Sequence, residues 1–421
     1  MLNEVAESLH AAFRISIHFV LHTPKPTFGM TFQFEYGTVS KPEDAQQLGV
    51  ILNQCFNNQL SNGWQTYSQR IGLENFRIIR QAEQILGGLA ILQLGQWYNS
   101  ERVPMAGIAA VGIAPEHRGT GAAVELLTHT LKELYANGVP LSTLYAATQR
   151  PYRKVGYEQG GIFCSWELPT DSIQIRDRSL PMHQVIPVRQ EVFQDIYHKQ
   201  AKVTNGNLDR NQAIWEGVLE APKEDIVYAY LIGSGQPEGY IIFTQRQEDD
   251  SCLIYIRDWV VLTAAAVRSF WTFIADHRSI VKKVRWRSSV VDPLTLLLPE
   301  QTDKIHYLGH WMLRVVDVSK ALEKRVYPLG IETELHLEVK DNLLPENNGK
   351  FVLSVSNGQG EVKKGGLGEL KLDVRGLAPL YTGLFTPHQL QLIGQLEAKE
   401  TALLAATQLF AGSQPWMPDS F

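Results

Sequence analysis

The chain has 421 residues, a net charge of −5, and 44% hydrophobic against 20% charged side chains. That length calls for two or three domains with proper cores, and the negative balance without a basic run argues against nucleic acid as the partner. No segment is long and apolar enough to span a bilayer. Three widely separated cysteines, Cys55, Cys164 and Cys252, fit a reducing cytoplasm better than a disulfide framework, and their spacing is not that of a metal site.

Residues 1–29 read as an N-terminal extension outside the fold, consistent with a start codon assigned too early; the mild hydrophobicity is broken by Arg14, His18 and His22. Phe32 to Thr38 alternates as a first strand. Lys41-Pro42-Glu43-Asp44 opens a helix through Leu48, Leu52 and Phe56. Ser61 to Leu73 reads as a helix-and-loop edge of a cleft. Phe76 to Arg80 and Ile85 to Leu94 form a hairpin, bent at Gly87-Gly88.

The informative stretch is Gly107 to Tyr135. An uninterrupted apolar strand from Ile108 to Ala114 stops at Pro115. A helix follows, with Val124, Leu127, Leu131, Leu134 and Tyr135 on one stripe. Between them lie Arg118, Gly119, Thr120, Gly121, Ala122 and Ala123. Small residues let a ligand approach the backbone, and the free N–H groups of a helix N-terminus favour an anion such as a pyrophosphate. Neither a Gly-Lys-Ser/Thr ending nor a GxGxxG spacing is present. The spacing resembles the acyl-CoA loop of the GNAT acetyltransferases, Gln/Arg-x-x-Gly-x-Gly/Ala, with Arg118, Gly121 and Ala123 in its defined positions.

Leu141 to Ala146 is the next strand, followed by Gln149 to Tyr157. A tyrosine in this segment of the acetyltransferases lies beside the departing thiolate, where a phenol is a suitable proton donor. Tyr152 matches that position. Tyr157 ends the motif and reads as a packing aromatic.

From Ile173 to Val315 the plan repeats. Helices are expected over Val192–Val203 and Arg210–Leu219, and strands over Ile226–Ile232, Gly239–Gln245 and Leu253–Leu262. Here the last strand passes straight into Thr263-Ala264-Ala265 without the small-residue turn, so this copy reads as one that has lost its coenzyme. From Val316 onward three alternating strands are expected (Thr333–Lys340, Lys350–Asn357, Gly368–Val374), with helices over Leu377–Leu384 and Leu396–Phe410.

The expected fold class is therefore α+β: tandem GNAT folds, each a mixed sheet with flanking helices, then a domain resembling sterol carrier protein. The expected boundaries are 30–170, 171–315 and 316–421. With Ala114-Pro115-Glu116-His117-Arg118, Tyr152 to Tyr157, Arg210 to Trp215 and the Trp416 to Phe421 ending, the chain resembles the Eis (enhanced intracellular survival) family of N-acetyltransferases. This resemblance implies acetyl-CoA as co-substrate, no metal, and a small-molecule amine acceptor such as an aminoglycoside, acetylated at several positions. It also implies a homo-hexamer.

By the same resemblance, the backbone over Val111, Gly112 and Ile113 holds the acetyl group and pantetheine arm. Phe421 returns to the first domain, where its α-carboxylate assists deprotonation of the amine. A free α-carboxylate has a pKa of about 3.5, so that role needs burial beside an ammonium; otherwise Phe421 only plugs a groove. Trp215 matches a cleft-wall aromatic and equally fits the core face of its own helix. Asn58 and Ser420 stand where acidic residues meet cationic substrates in the family, with Asp419 as a partial replacement, and Ala110 stands where a large aromatic can occur. These departures bear on the substrate. Protein lysines or peptide amino termini are the rival acceptors, and a non-catalytic acyl-CoA or lipid carrier is the rival class.

Overall fold

The computed structural model describes residues 34–57, 60, 63–220, 225–248 and 251–421; the expected N-terminal extension and Asn58 lie outside them. Thirteen strands form one mixed sheet, and five more form a second. The first half supplies β1 (Glu35–Thr38), β2 (Phe76–Gln81), β3 (Gln84–Tyr98), β4 (Glu101–Ile113), β5 (Leu141–Tyr145) and β6 (Glu158–Pro169). The second supplies β7 (Met182–Gln184), β8 (Leu208–Asp209), β9 (Val227–Ile232), β10 (Gly239–Glu248), β11 (Ser251–Val261), β12 (Val281–Ser288) and β13 (Lys304–Val315).

The spatial order is β1-β2-β3-β4-β5-β13-β6-β12-β11-β10-β9-β7, with β8 on β3. The two copies therefore interlock. β13, from the second copy, lies between β5 and β6 of the first, and β6 lies between β12 and β13. Neither copy completes its sheet without a strand from the other, which the expectation of two successive units did not foresee.

Helix α1 (Pro42–Cys55) and helix α2 (Trp64–Ile71) cover one face of the first copy, and α3 (Ala122–Ala136) covers the other. The buried stripe of α3 is Leu126, Leu127, Thr130, Leu131 and Leu134. It is rotated from the expected one, because Val124 and Tyr135 sit at its half-exposed borders. Glu133 pins α3 to the sheet, accepting from Arg77 Nε and Nη2 on β2 at 2.9 and 2.6 Å. The short helix α4 (Arg150–Lys154) carries Tyr152. In the second copy, α5 (Gln194–Lys202) and α6 (Gln212–Leu219) lie on one side and α7 (Ala264–Asp276) on the other.

The C-terminal sheet runs β16-β15-β14-β17-β18, made from β14 (Thr333–Lys340), β15 (Gly349–Ser356), β16 (Gln359–Lys364), β17 (Leu370–Asp373) and β18 (Leu396–Ala398). Two of these were not expected. Gln359–Lys364 is too polar to show an apolar alternation, yet hairpin pairing across Asn357-Gly358 makes it a strand. Leu396–Ala398 pairs with β17, and the expected helix begins only at Glu400. Leu337, Leu353, Leu377, Leu380 and Leu403 fill the interior and join the core of the first copy.

Candidate active site

Parallel strands β4 and β5 pair only from Met105↔Leu141 to Gly107↔Thr143. β4 then continues to Ile113 without that partner, so the two strands splay. The cause is local. Against β3, Gly88 pairs with Gly112 and Ala90 with Ala109, leaving an extra residue in β4. Ala110 adopts φ +50, a left-handed value uncommon for a residue with a side chain. Such a bulge re-aims the backbone of the next residues, here Val111 to Ile113, and is a common device beside active sites. Behind it, Gly112 packs so closely on α1 that an added Cβ would meet Leu52 Cδ2 at 2.6 Å and Cys55 Sγ at 3.2 Å.

Past Pro115 the chain turns through Arg118, Gly119 at φ +82, Thr120 and Gly121 at φ +99 into α3. Both glycines need the left-handed region, and a Cβ on either would meet nothing within 4 Å. Thr120 Oγ1 donates to His117 O at 2.7 Å and Arg118 Nε to Ile113 O at 3.3 Å, which fixes the loop from inside. Gly121 as N-cap offers no side chain to the first amides of α3, and Gly119 to Gly121 are exposed at this N-terminus, with Ala122 buried and Ala123 half-buried behind them. An uncapped helix N-terminus beside an exposed Arg118 suits a pyrophosphate.

Tyr152 is 8% exposed, edge-on to Tyr157 with ring centroids 6.1 Å apart. Burial alone pushes its phenol up to about 12, so it carries its proton at neutral pH. Tyr157 is fully buried, and its hydroxyl lies 2.7 Å from Ser142 Oγ.

The C-terminal tail enters this site. Trp416 bridges Ile162 of β6, with Met417 N donating to Ile162 O at 3.1 Å. Tyr145, at the end of β5, donates to Asp419 O at 2.8 Å. The Phe421 ring stands edge-on to Tyr145, centroids 6.0 Å apart, and closes over Gly107, where a Cβ would lie 2.8 Å from Phe421 Cε2. Gly107 is the last β4 residue paired with β5, so the terminal residue sits at the mouth of the splay. Ser420 beside it is exposed.

Asp419 and Trp215 are placed differently from the expected acceptor contacts. The Asp419 carboxylate is 2% exposed and held by Arg210, whose Nε and Nη2 lie 3.1 and 2.9 Å from its two oxygens. Trp215 is 2% exposed, 4.7 Å from the Arg210 guanidinium and edge-on to Tyr197. Both serve the interior of the second copy. The sequence reading missed Tyr145 and Arg287 as tail contacts and Asp258 as the second partner of Arg210. For Asp258 the signal was present: a lone carboxylate between Ile256 and Trp259 in a buried strand requires a buried partner.

The second copy repeats the splay and closes it. β11 and β12 pair as far as Tyr255↔Arg285, and Trp259 Nε1 then reaches across to Arg287 O at 2.9 Å. At the corresponding bulge, between Ile242/Phe243 and Asp258/Ile256, Arg257 donates to the carbonyls of Gly217, Val218 and Glu220. The N-terminus of α7 is capped by its own Thr263, whose Oγ1 accepts from Ala266 N at 3.1 Å.

Comparison with known proteins agrees with this geometry. Two families, each described as acetyltransferase (GNAT) domain, match at residues 39–160 and 206–315, and the sterol carrier protein domain matches residues 318–418. The crystal structure of a GCN5-related N-acetyltransferase from Anabaena variabilis is 57% identical, with a TM-score of 0.90 over 92% of this chain and 100% of that one. The chain belongs to the GCN5-related N-acetyltransferases. Its form is Eis-like. The N-acetyltransferase Eis of Mycobacterium tuberculosis is 26% identical over 72% of this chain and 76% of its own length. Eis1 of Mycobacterium abscessus shares the fold at 21% identity, with a TM-score of 0.79 over 92% of this chain and all of its own. The protein is thus an acetyltransferase enzyme, and its GNAT domains imply use of acetyl-CoA. Among the described residues, no helix is long and apolar enough to cross a membrane.

Proposed function

We propose that the enzyme acetylates primary amines of small, multiply amino-substituted acceptors, aminoglycosides or polyamine-like molecules, at more than one position. Arg118 and the amides of Gly119 to Ala123 would hold the pyrophosphate of acetyl-CoA, and the backbone of Val111 to Ile113 its acyl end; bound there, the coenzyme supplies an activated thioester. The observation that carries the reading is the terminal residue. The Phe421 ring closes over Gly107 at the mouth of the β4/β5 splay, and in this reading an α-carboxylate on Phe421 faces the acceptor. A cationic amine favours that site, and the carboxylate accepts its proton directly or through water as the nitrogen attacks. Tyr152, protonated at neutral pH, donates to the leaving sulfur. The second copy, with its capped helix and closed splay, holds no coenzyme in this reading.

The acceptor class rests on the Eis-like relatives and on this carboxylate, since Asp419 is occupied internally. The test is to mix the protein with acetyl-CoA and a multi-amine aminoglycoside and to follow thiol release together with product mass. Successive additions of acetyl groups are expected. Coenzyme binding without thiol release would overturn the acceptor assignment, and no binding would overturn the assignment of the loop. A homo-hexamer is expected by the same relationship; light scattering of the purified protein tests it.

A further inference from the structure

We infer that the second acetyltransferase copy is the socket for the C-terminal tail, with Arg210, Asp258 and Arg287 as positioning residues for the Phe421 carboxylate. The two splays face the tail in equivalent ways. Tyr145 lies two residues beyond Thr143, the last β5 residue paired with β4; Arg287 lies two residues beyond Arg285, the last β12 residue paired with β11. Each donates to one of two successive tail carbonyls: Arg287 Nη1 to Pro418 O at 2.6 Å, Tyr145 Oη to Asp419 O at 2.8 Å. The tail is therefore gripped by the same position of both copies.

The edge it occupies is left free by the second copy. β12 stops pairing with β6 at Ser288↔Cys164, and Trp416 takes that edge of β6 at Ile162. The loop before β8 adds Asn205 O, accepting from Trp416 N, and Asn207 Nδ2, donating to Trp416 O, both at 3.1 Å. The clamp itself is ionic. Arg210 spends one edge on Asp419 and the other on Asp258, at 2.6 and 3.0 Å, and Tyr240 Oη donates to Asp258 at 2.6 Å. The guanidinium lies 3.7 Å from the Tyr197 ring centroid, so its plane is fixed by stacking as well as by charge.

Arg210 and both carboxylates are at most 3% exposed at the side chain. Buried charge-assisted pairs of this kind are strong in geometry and costly to break on one side, which suits a device that holds two residues beyond it in register. Arg287 joins the closed splay to the tail: its carbonyl accepts from Trp259 Nε1 while its Nη1 donates to Pro418 O.

The effect on turnover rests on the catalytic reading of Phe421; the docking does not. The test uses the full-length enzyme with acetyl-CoA and a multi-amine acceptor. Asp419→Asn removes the Asp419 charge at constant shape, and Asp258→Asn alters only the clamp's partner on β11. Carboxypeptidase reads docking directly, because release of Phe421 follows the undocked population. Either variant is expected to release Phe421 about tenfold faster or more. Turnover is expected to fall by a comparable factor with KM for acetyl-CoA unchanged, and neither substitution is expected to add to the loss in a chain lacking Phe421. Release at the wild-type rate from Asp419→Asn overturns the socket; this variant decides alone if Asp258→Asn does not fold. Faster release with undiminished turnover keeps the socket and overturns the catalytic role of the carboxylate.

Discussion

The two acetyltransferase copies start from the same scaffold and differ in how they treat the places where a strand and a helix end. In the first, Gly121 leaves the N-terminus of α3 without a side-chain cap, and the β4/β5 splay stays open. In the second, Thr263 caps α7, Trp259 crosses the splay, and Arg257 fills the bulge. The second solution satisfies the backbone from within; the first leaves amides that only a ligand or water can satisfy. In the proposed reading, the copy whose hydrogen bonds are left unmade is the one that binds coenzyme.

The comparison breaks most severely at Tyr152. Tyr152→Phe keeps the ring that packs on Tyr157 and removes only the proton donor. Turnover is expected to drop on the order of 10²-fold or more with acetyl-CoA KM nearly unchanged, as loss of a general acid does. The pH dependence sharpens the same point. Burial raises this phenol to about 12, so the acidic form persists through neutral and mildly alkaline pH, and the rate is lost only as pH climbs toward that value. A kcat profile for wild type that is flat up to about pH 10 is expected. A decline centred well below pH 10 would assign the proton donor elsewhere.

Gly121→Val comes next. A Cβ at Gly121 has open space around it, but φ +99 strains any β-branched residue, and the new methyl groups stand at the mouth of the loop. An increase in acetyl-CoA KM of about tenfold is expected, with kcat reduced less, because the lost contact binds coenzyme in ground and transition state alike. Titration calorimetry on wild type is expected to give one acetyl-CoA per chain. Two per chain would mean that the capped helix and closed splay of the second copy do not exclude it.

The loop, the strand before it and Tyr152 were legible in the sequence because each is local: glycines where φ must be positive, small residues at a helix start, an aromatic at fixed spacing. Loss of the loop in the second copy was legible for the same reason. The exchange of β6 and β13 was not, since strand order is decided by pairing between residues more than a hundred positions apart. Asp419 was read toward the acceptor on the family resemblance, and Trp215 equally toward the acceptor and toward the core face of its own helix. In the folded chain both face Arg210, a partner that no periodicity reveals.

The smallest expected effect completes the contrast, because it acts on the same structural position as Gly121 in the other copy. Thr263→Ala removes the cap of α7, freeing Ala266 N and breaking the 2.5 Å hydrogen bond from Thr263 Oγ1 to Glu238. Loss of an N-cap costs about 1 kcal/mol. The midpoint of denaturant unfolding is expected to fall accordingly, with kcat and acetyl-CoA KM unchanged. The same helix end would then answer in two currencies, coenzyme affinity at Gly121 and stability at Thr263. A change in turnover for Thr263→Ala at unaltered stability would show that the second helix N-terminus still takes part in the reaction, and that the two copies are less divided in labour than their hydrogen bonds indicate.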